Sequence, residues 1–182
     1  MLIKPAEIPD VKIIEPRIFR DERGFFLETY HAQRYAEAGI PDKFVQDNHS
    51  GSRQGTLRGL HYQIRCAQGK LIQVVVGEIY DVVVDLRRSS PTFGQWLGTH
   101  LTAHNKLQLW IPEGFAHGFY VISDWAEVTY KTTDYYAPEW ERTLLWNDSD
   151  LKIDWHIPAN TQPIITTKDR QGKPFREADV FD

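Results

Sequence analysis

The sequence predicts a mainly β protein, an antiparallel sandwich or barrel with one short helix, and three observations carry that reading. Aromatic residues make up 13% of the 182 residues, alongside many Val, Thr and Ile, a mixture suited to pleated, half-buried surfaces. Apolar residues recur with a period near two over much of the chain after position 70, as a strand with one buried face requires. Turn clusters such as Arg88-Ser89-Ser90-Pro91 and Pro112-Glu113-Gly114 cut these runs into short pieces.

One segment reads as a helix. Residues 31–38 are rich in helix formers, and Gly39 with Pro41 supplies a stop signal. Residues 71–76 and 79–86 flank Gly77-Glu78, the pattern of a hairpin with a short glycine turn. In the second arm Tyr80, Val82, Val84 and Leu86 alternate with Asp81, Val83 and Asp85. One face is apolar and the other mixed, so a core on one side is expected. Further strands are expected at 96–102, 107–111, 117–122 and 126–132, and the polar run 168–174 is expected to be loop. No repeat, low-complexity linker or composition break divides the chain, so residues 1–182 are read as a single domain.

Composition narrows the function classes. Against 25 acidic residues stand 21 basic ones, a net charge of −4, which gives no global attraction for nucleic acid or anionic lipid. Cys66 is the single cysteine and cannot form an internal disulfide. The start of the chain shows no apolar leader, and no run approaches the roughly 18 apolar residues of a spanning helix. A soluble, cytoplasmic protein with neither a nucleic-acid nor a membrane partner is expected.

Two constellations could carry chemistry: Gly55-Thr56-Leu57-Arg58-Gly59-Leu60-His61-Tyr62-Gln63 and Ile111-Pro112-Glu113-Gly114-Phe115-Ala116-His117-Gly118-Phe119. Together they resemble the two cupin motifs, whose fold is a double-sheet jelly roll commonly holding a metal in the barrel mouth. The match departs from the metal-binding form. His61 and His117 keep two of the four ligand positions, but Gln63 stands where a second histidine belongs. The glutamate position falls at Ala67 or Gln68, and Val121 replaces the last ligand. A transition-metal site wants about three protein ligands, so no metal is expected. Taken alone, each histidine reads equally well as a satisfied strand residue. Tyr130, at the parity of Ala126 and Val128, reads as a core tyrosine with its hydroxyl paired.

Five blocks in order make the resemblance more specific. Residues Arg58–Gln63, Gly69-Lys70-Leu71-Ile72-Gln73-Val74, Pro112–Phe119, Tyr136-Ala137-Pro138-Glu139 and Lys168-Asp169 are similar to the dTDP-4-dehydrorhamnose 3,5-epimerase family, from about residue 15 to 175. The resemblance implies a metal-free and cofactor-free cupin, usually a homodimer. Its substrate is dTDP-4-dehydro-6-deoxy-glucose, which becomes dTDP-4-dehydro-rhamnose for deoxysugar and polysaccharide synthesis.

The chemistry fits the residue types. A ketone at C4 acidifies the C–H bonds at C3 and C5, because either carbanion delocalises into an enolate. Inversion then needs a base on one face, an acid on the other, and a cation near the carbonyl oxygen. The resemblance implies that His61 is the base, oriented by Asp169, that Tyr130 is the acid and that Lys70 stabilises the enolate. It places Arg23, Arg58 and Lys168 near the diphosphate, and Glu28, Gln46, Asp47 and Asn48 near sugar and thymine edges. Tyr136 would stack on the thymine, with His117 and Glu141 near the bound substrate. The resemblance also suggests that the region of Arg23 and Glu28 reaches the partner's site across a dimer. Rival readings are an enzyme inverting one centre or isomerising the same ketone, a metal-dependent cupin enzyme, and a silent sugar-binding cupin.

Overall fold

The computed structural model describes residues 1–41 and 43–182. The chain opens with four short strands, β1 (Leu2–Pro5), β2 (Lys12–Glu15), β3 (Ile18–Asp21) and β4 (Gly24–Leu27), and then helix α1 (Ala32–Glu37). His31 caps this helix by accepting from the Arg34 amide, and Gly39, at φ +72°, turns the chain out of it. Eight strands, all but β10 longer than these, form the body: β5 (Gln46–Arg53), β6 (Leu57–Gln63), β7 (Lys70–Val76), β8 (Glu78–Asp85), β9 (Trp96–Thr102), β10 (Gln108–Ile111), β11 (Phe115–Val121) and β12 (Trp125–Thr132). β13 (Glu141–Thr143) and a helical turn, α2 (Thr167–Arg170), follow.

The strands make two packed sheets, ordered β1-β2-β10-β7-β12-β5 and β13-β6-β11-β8-β9, with β3 and β4 as a separate ribbon. All pairs within them are antiparallel. The result is a jelly roll of the cupin type, with no described helix long and apolar enough to cross a membrane. Alternate residues of facing strands fill the space between the sheets, among them Ile72, Val74, Ile79, Val83, Leu101, Leu109, Phe119 and Val128. Burying such side chains contributes roughly 1.5–3 kcal/mol each.

The segment around Gly77 departs from the hairpin reading. β7 pairs with β10 and β12, whereas β8 pairs with β11 and β9. Gly77 is therefore a corner between sheets, at φ +76° with its carbonyl bonded to the Ala103 amide. A glycine turn reads alike in a hairpin and in a sheet-switching corner, so the local signal does not separate them.

β8 also reverses its expected faces. Its apolar face, Tyr80, Val82, Val84 and Leu86, packs outward under Leu144, Leu151 and Trp155 of the C-terminal segment. Its mixed face lines the interior, where Asp81 and Asp85 are fully buried. Asp85 is satisfied there by Arg87, Ser90 and Thr92. The polar run expected to be loop contains α2, capped by Thr166, whose side chain accepts from the Asp169 amide.

A side chain at Gly77 would collide with the Trp125 carbonyl and with Ser123, whereas one at Gly55, at φ +77°, meets only the Tyr120 hydroxyl at 3.9 Å. Gly55→Ala should cost about 1 kcal/mol of left-handed strain, and Gly77→Ala about 3 kcal/mol or more because strain and overlap add. Urea melts of both variants check the order.

Candidate active site

A cavity of about 340 Å³ opens between the two sheets. Strand parity explains most of its lining. On β12, Tyr130 shares the inward face with buried Ala126 and Val128, and on β7, Lys70 shares it with Ile72 and Val74. Gln46 and Asn48 enter from β5, Arg58 and His61 from β6, His117 from β11, and Glu141 from β13.

His61 and His117 are direct cross-strand partners. Their strands approach closely because Gly59, at φ +115°, abuts Gly118. A Cβ on Gly59 would lie 2.6 Å from the Gly118 Cα and 2.7 Å from the His117 carbonyl oxygen. The register slips just beyond His117, as expected for a bulge that re-aims a side chain.

Each histidine is held by a buried carboxylate. His61 Nε2 lies 2.6 Å from Asp169 Oδ1, and His117 Nε2 lies 2.8 Å from Asp81 Oδ2. Asp169 is only 2% exposed. Burial tends to raise its carboxyl, but the hydrogen bond and charge of His61, with the Gly59 and Thr166 contacts, hold it below the usual value. A carboxylate on one ring nitrogen leaves the other free to accept a proton, and it stabilises the imidazolium that results.

The Lys70 ammonium forms no hydrogen bond or ion pair with any described residue, although the side chain is only 9% exposed. Burial pushes it down from 10.5 to about 8, opposed by the charges of Asp81 and Glu141. The Tyr130 hydroxyl is raised, first by burial, with Arg58 pulling it down and Glu141 adding to the rise. Arg58 is itself fixed by Ser52 Oγ at 2.9 Å and the Gly51 carbonyl at 3.4 Å.

The mouth is tied shut on one side. Tyr136 donates to Glu141 Oε2 at 2.8 Å, and Lys168 pairs with the same oxygen at 2.5 Å. Burial would raise Glu141, but these two partners hold it below the usual carboxylate value. Gln63 accepts from the Ala137 amide at 2.8 Å and donates to the carbonyls of Cys66 and Tyr135. The residue at a cupin ligand position is therefore a latch for the segment carrying Tyr136. Among the described residues no three His, Cys, Asp or Glu side chains converge as a metal site.

Of the residues expected from sequence, Gln46, Asn48, Arg58, His61, Lys70, His117, Tyr130, Tyr136 and Glu141 line this cavity. Asp169 and Lys168 reach it through His61 and Glu141. Three do not. Asp47 alternates to the outer face of β5 and pairs with Lys131 at 3.0 Å. Arg23 pairs with Asp21 in the β3–β4 ribbon, and Glu28 with Arg34, both outside the cavity of this chain. Asp81 was not expected at the site, because its alternation with valines reads as a solvent face. The missed signal is a carboxylate within an otherwise apolar strand.

The site has the parts for moving protons next to a carbonyl. A carboxylate-oriented imidazole stands on one sheet, a phenol on the other, and an unpaired cation beside them. Comparison with known proteins gives the same direction. A family model for dTDP-4-dehydrorhamnose 3,5-epimerase matches residues 5–177. The dTDP-4-dehydrorhamnose 3,5-epimerase of Pseudomonas aeruginosa is 61% identical over 175 residues, covering 96% of each chain. That of Shigella flexneri is 54% identical over 183 residues, covering 100% of this chain and 99% of the relative. The crystal structure of dTDP-6-deoxy-D-glucose-3,5-epimerase from Legionella pneumophila, in complex with dTDP-4-keto-L-rhamnose, superposes with a TM-score of 0.94. It is 52% identical, covering 98% of this chain and 94% of that one.

The buried ammonium has a stability signature. Below about pH 8 the folded protein holds a charge that the unfolded chain solvates freely. Between about 8 and 10.5 only the unfolded chain keeps its proton, so stability should rise with pH across that window. Lys70→Met should remove the cost and stabilise the fold at pH 7 by up to about 3 kcal/mol. Denaturant melts of both proteins at pH 7 and 10 check this.

Proposed function

Because the chain belongs to the dTDP-4-dehydrorhamnose 3,5-epimerase family, we propose that His61 removes the substrate protons and Tyr130 returns them on the other face. The reaction inverts C3 and C5 of dTDP-4-dehydro-6-deoxy-glucose to give dTDP-4-dehydro-rhamnose. Its course follows from the ketone. His61 takes the proton at the first centre, and the electron pair left behind moves into the C4 carbonyl to form an enolate. Lys70 donates to the oxyanion. Tyr130 protonates the carbon from the opposite side, and solvent restores the proton balance before the second centre reacts.

The observation that carries this reading is the split of the acid–base groups across the two sheets. His61 sits on β6 with Asp169 behind it, and Tyr130 on β12. A single group on one side could exchange a proton but not invert a centre. No cofactor is required, since the ketone is the electron sink. The diphosphate falls to Arg58 and Lys168, arginine gripping it with its planar fork. Tyr136, half exposed at the mouth, is positioned to stack on thymine. Gln46, Asn48, His117 and Glu141 supply polar edges for sugar and base.

Arg23 and Glu28 belong to this reading through a homodimer. Their ribbon presents Phe19, Phe25 and Phe26 at 49%, 53% and 70% exposure, an apolar surface of the kind that seeks a partner. A partner's cavity would receive the charged pair that this chain's own cavity does not. We assign the enzyme to the cytoplasm.

Turnover in heavy water separates the roles. His61→Ala should lose deuterium incorporation at both C3 and C5, by roughly 10²–10⁴-fold, while still binding dTDP. Tyr130→Phe keeps the base and the cation, so an enolate still forms and collapses back by way of His61. That variant should exchange at a centre it no longer inverts, read by NMR of the recovered sugar. A Phe variant that inverts at the normal rate defeats the two-face assignment.

A further inference from the structure

We infer that Asp81 is a positioning residue for this reaction: its buried carboxylate aims His117 into the cavity and supplies the negative charge that keeps Lys70 an ammonium. Asp81 lies in the middle of β8, on the interior face between Ile79 and Val83. It is fully buried. One oxygen takes the 2.8 Å contact with His117, while the other, Oδ1, is buried with no hydrogen-bond partner. Strand packing alone gives no reason for a carboxylate here. A fourth valine in the run Val82-Val83-Val84 would fill the position without the cost of a half-paired buried charge.

The neighbouring carboxylates are already engaged. Asp169 is taken by His61, and Glu141 by Tyr136 and Lys168. The other titratable or charged groups lining the cavity are Arg58, His61 and Tyr62 from β6, His117 from β11, Tyr130 from β12, and Tyr136 at the lip. Of the three carboxylates, Asp81 is the one with a buried oxygen left uncommitted. Burial raises its carboxyl, while His117 and Lys70 pull it back. Burial lowers Lys70, and Asp81 is the larger of the two opposing charges. The Asp81 charge is thus supported first by His117 and then by Lys70, and the Lys70 charge first by Asp81 and then by Glu141. When the substrate's oxygen gains negative charge, the cation is free to meet it, since Asp81 holds it by field and not by a direct bond.

The inference rests on Lys70 serving the enolate oxygen. Failure of that premise shows as an active Lys70→Met enzyme, whereas failure of the inference itself shows only at Asp81. The test is the pH dependence of kcat/KM for Asp81→Asn beside the wild type. Wild-type activity should fall above about pH 8 as Lys70 loses its proton. In Asp81→Asn this basic limb should move down by about one unit or more, so that the variant loses about fivefold more at pH 8 than at pH 6. Asp81→Glu, which keeps the charge, should hold the limb near its wild-type position. Nitrogen-15 titration of the Lys70 Nζ in the same proteins should show the same displacement without turnover. A role confined to packing predicts a uniform loss at every pH with an unmoved limb, and that result overturns the inference. Failure of both the Asn and the Glu chains to fold overturns it as well, because Asp81 is then structural.

Discussion

The 2.6 Å contact between His61 and Asp169 joins positions 108 residues apart, and the course of the C-terminal third depends on it. A carboxylate this deeply buried is tolerable only where hydrogen bonds replace water on its oxygens. His61 and the Gly59 amide supply them, and the Thr166 cap fixes the short helix that delivers the group. The chain reaches that point by laying Leu144, Leu151 and Trp155 over the outer face of β8. Gly172 then presses against the backbone of Leu144, and Lys173 bonds to Thr143 and Leu145. The cover on the second core and the orientation of the imidazole are one piece of construction.

The same economy governs the interior. Around one cavity between two sheets of Val, Ile and Phe the chain gathers two histidines, three carboxylates and a lysine, all but His61 mostly shielded from bulk water. In such surroundings electrostatic effects are larger than in solvent, and so are the penalties for leaving a group alone. Five of the six are matched in pairs or a small network, and the sixth, Lys70, has no direct partner. Its isolation weakens the fold, and in the proposed reaction the same isolation leaves the ammonium for the enolate oxygen, the usual direction of the exchange between stability and function.

Much of this was legible from residues alone. The alternation in β8, β9 and β12 marked strands that the structure keeps nearly to the residue, and the parity of Tyr130 marked its inward face. Physical signals were weaker elsewhere. β1 to β4 are four residues each and largely exposed, too short for a period to stand out. A glycine corner looks like a hairpin until its pairing is known. Asp81 and Asp85 looked solvent-facing because periodicity assigns the apolar face to the core, and here a second core lies outside the sheet. The resemblance named His61, Tyr130, Lys70 and Asp169 where residues taken singly gave each a bland reading, and it set Arg23 and Glu28 apart as residues reaching toward a partner; in this chain they lie outside its own cavity.

Gln63 bears on how reversible this architecture is in evolution. One nucleotide-scale change to histidine would restore a third cupin ligand beside His61 and His117. Yet the amide now clasps Cys66, Tyr135 and Ala137, and an imidazole has one donor and one acceptor where the amide uses both of its groups on three partners. A histidine at this position would unhook the lip that carries Tyr136. The cupin ligand position here does a mechanical task, and a change to metal chemistry would need a compensating change in the lip before it could be neutral.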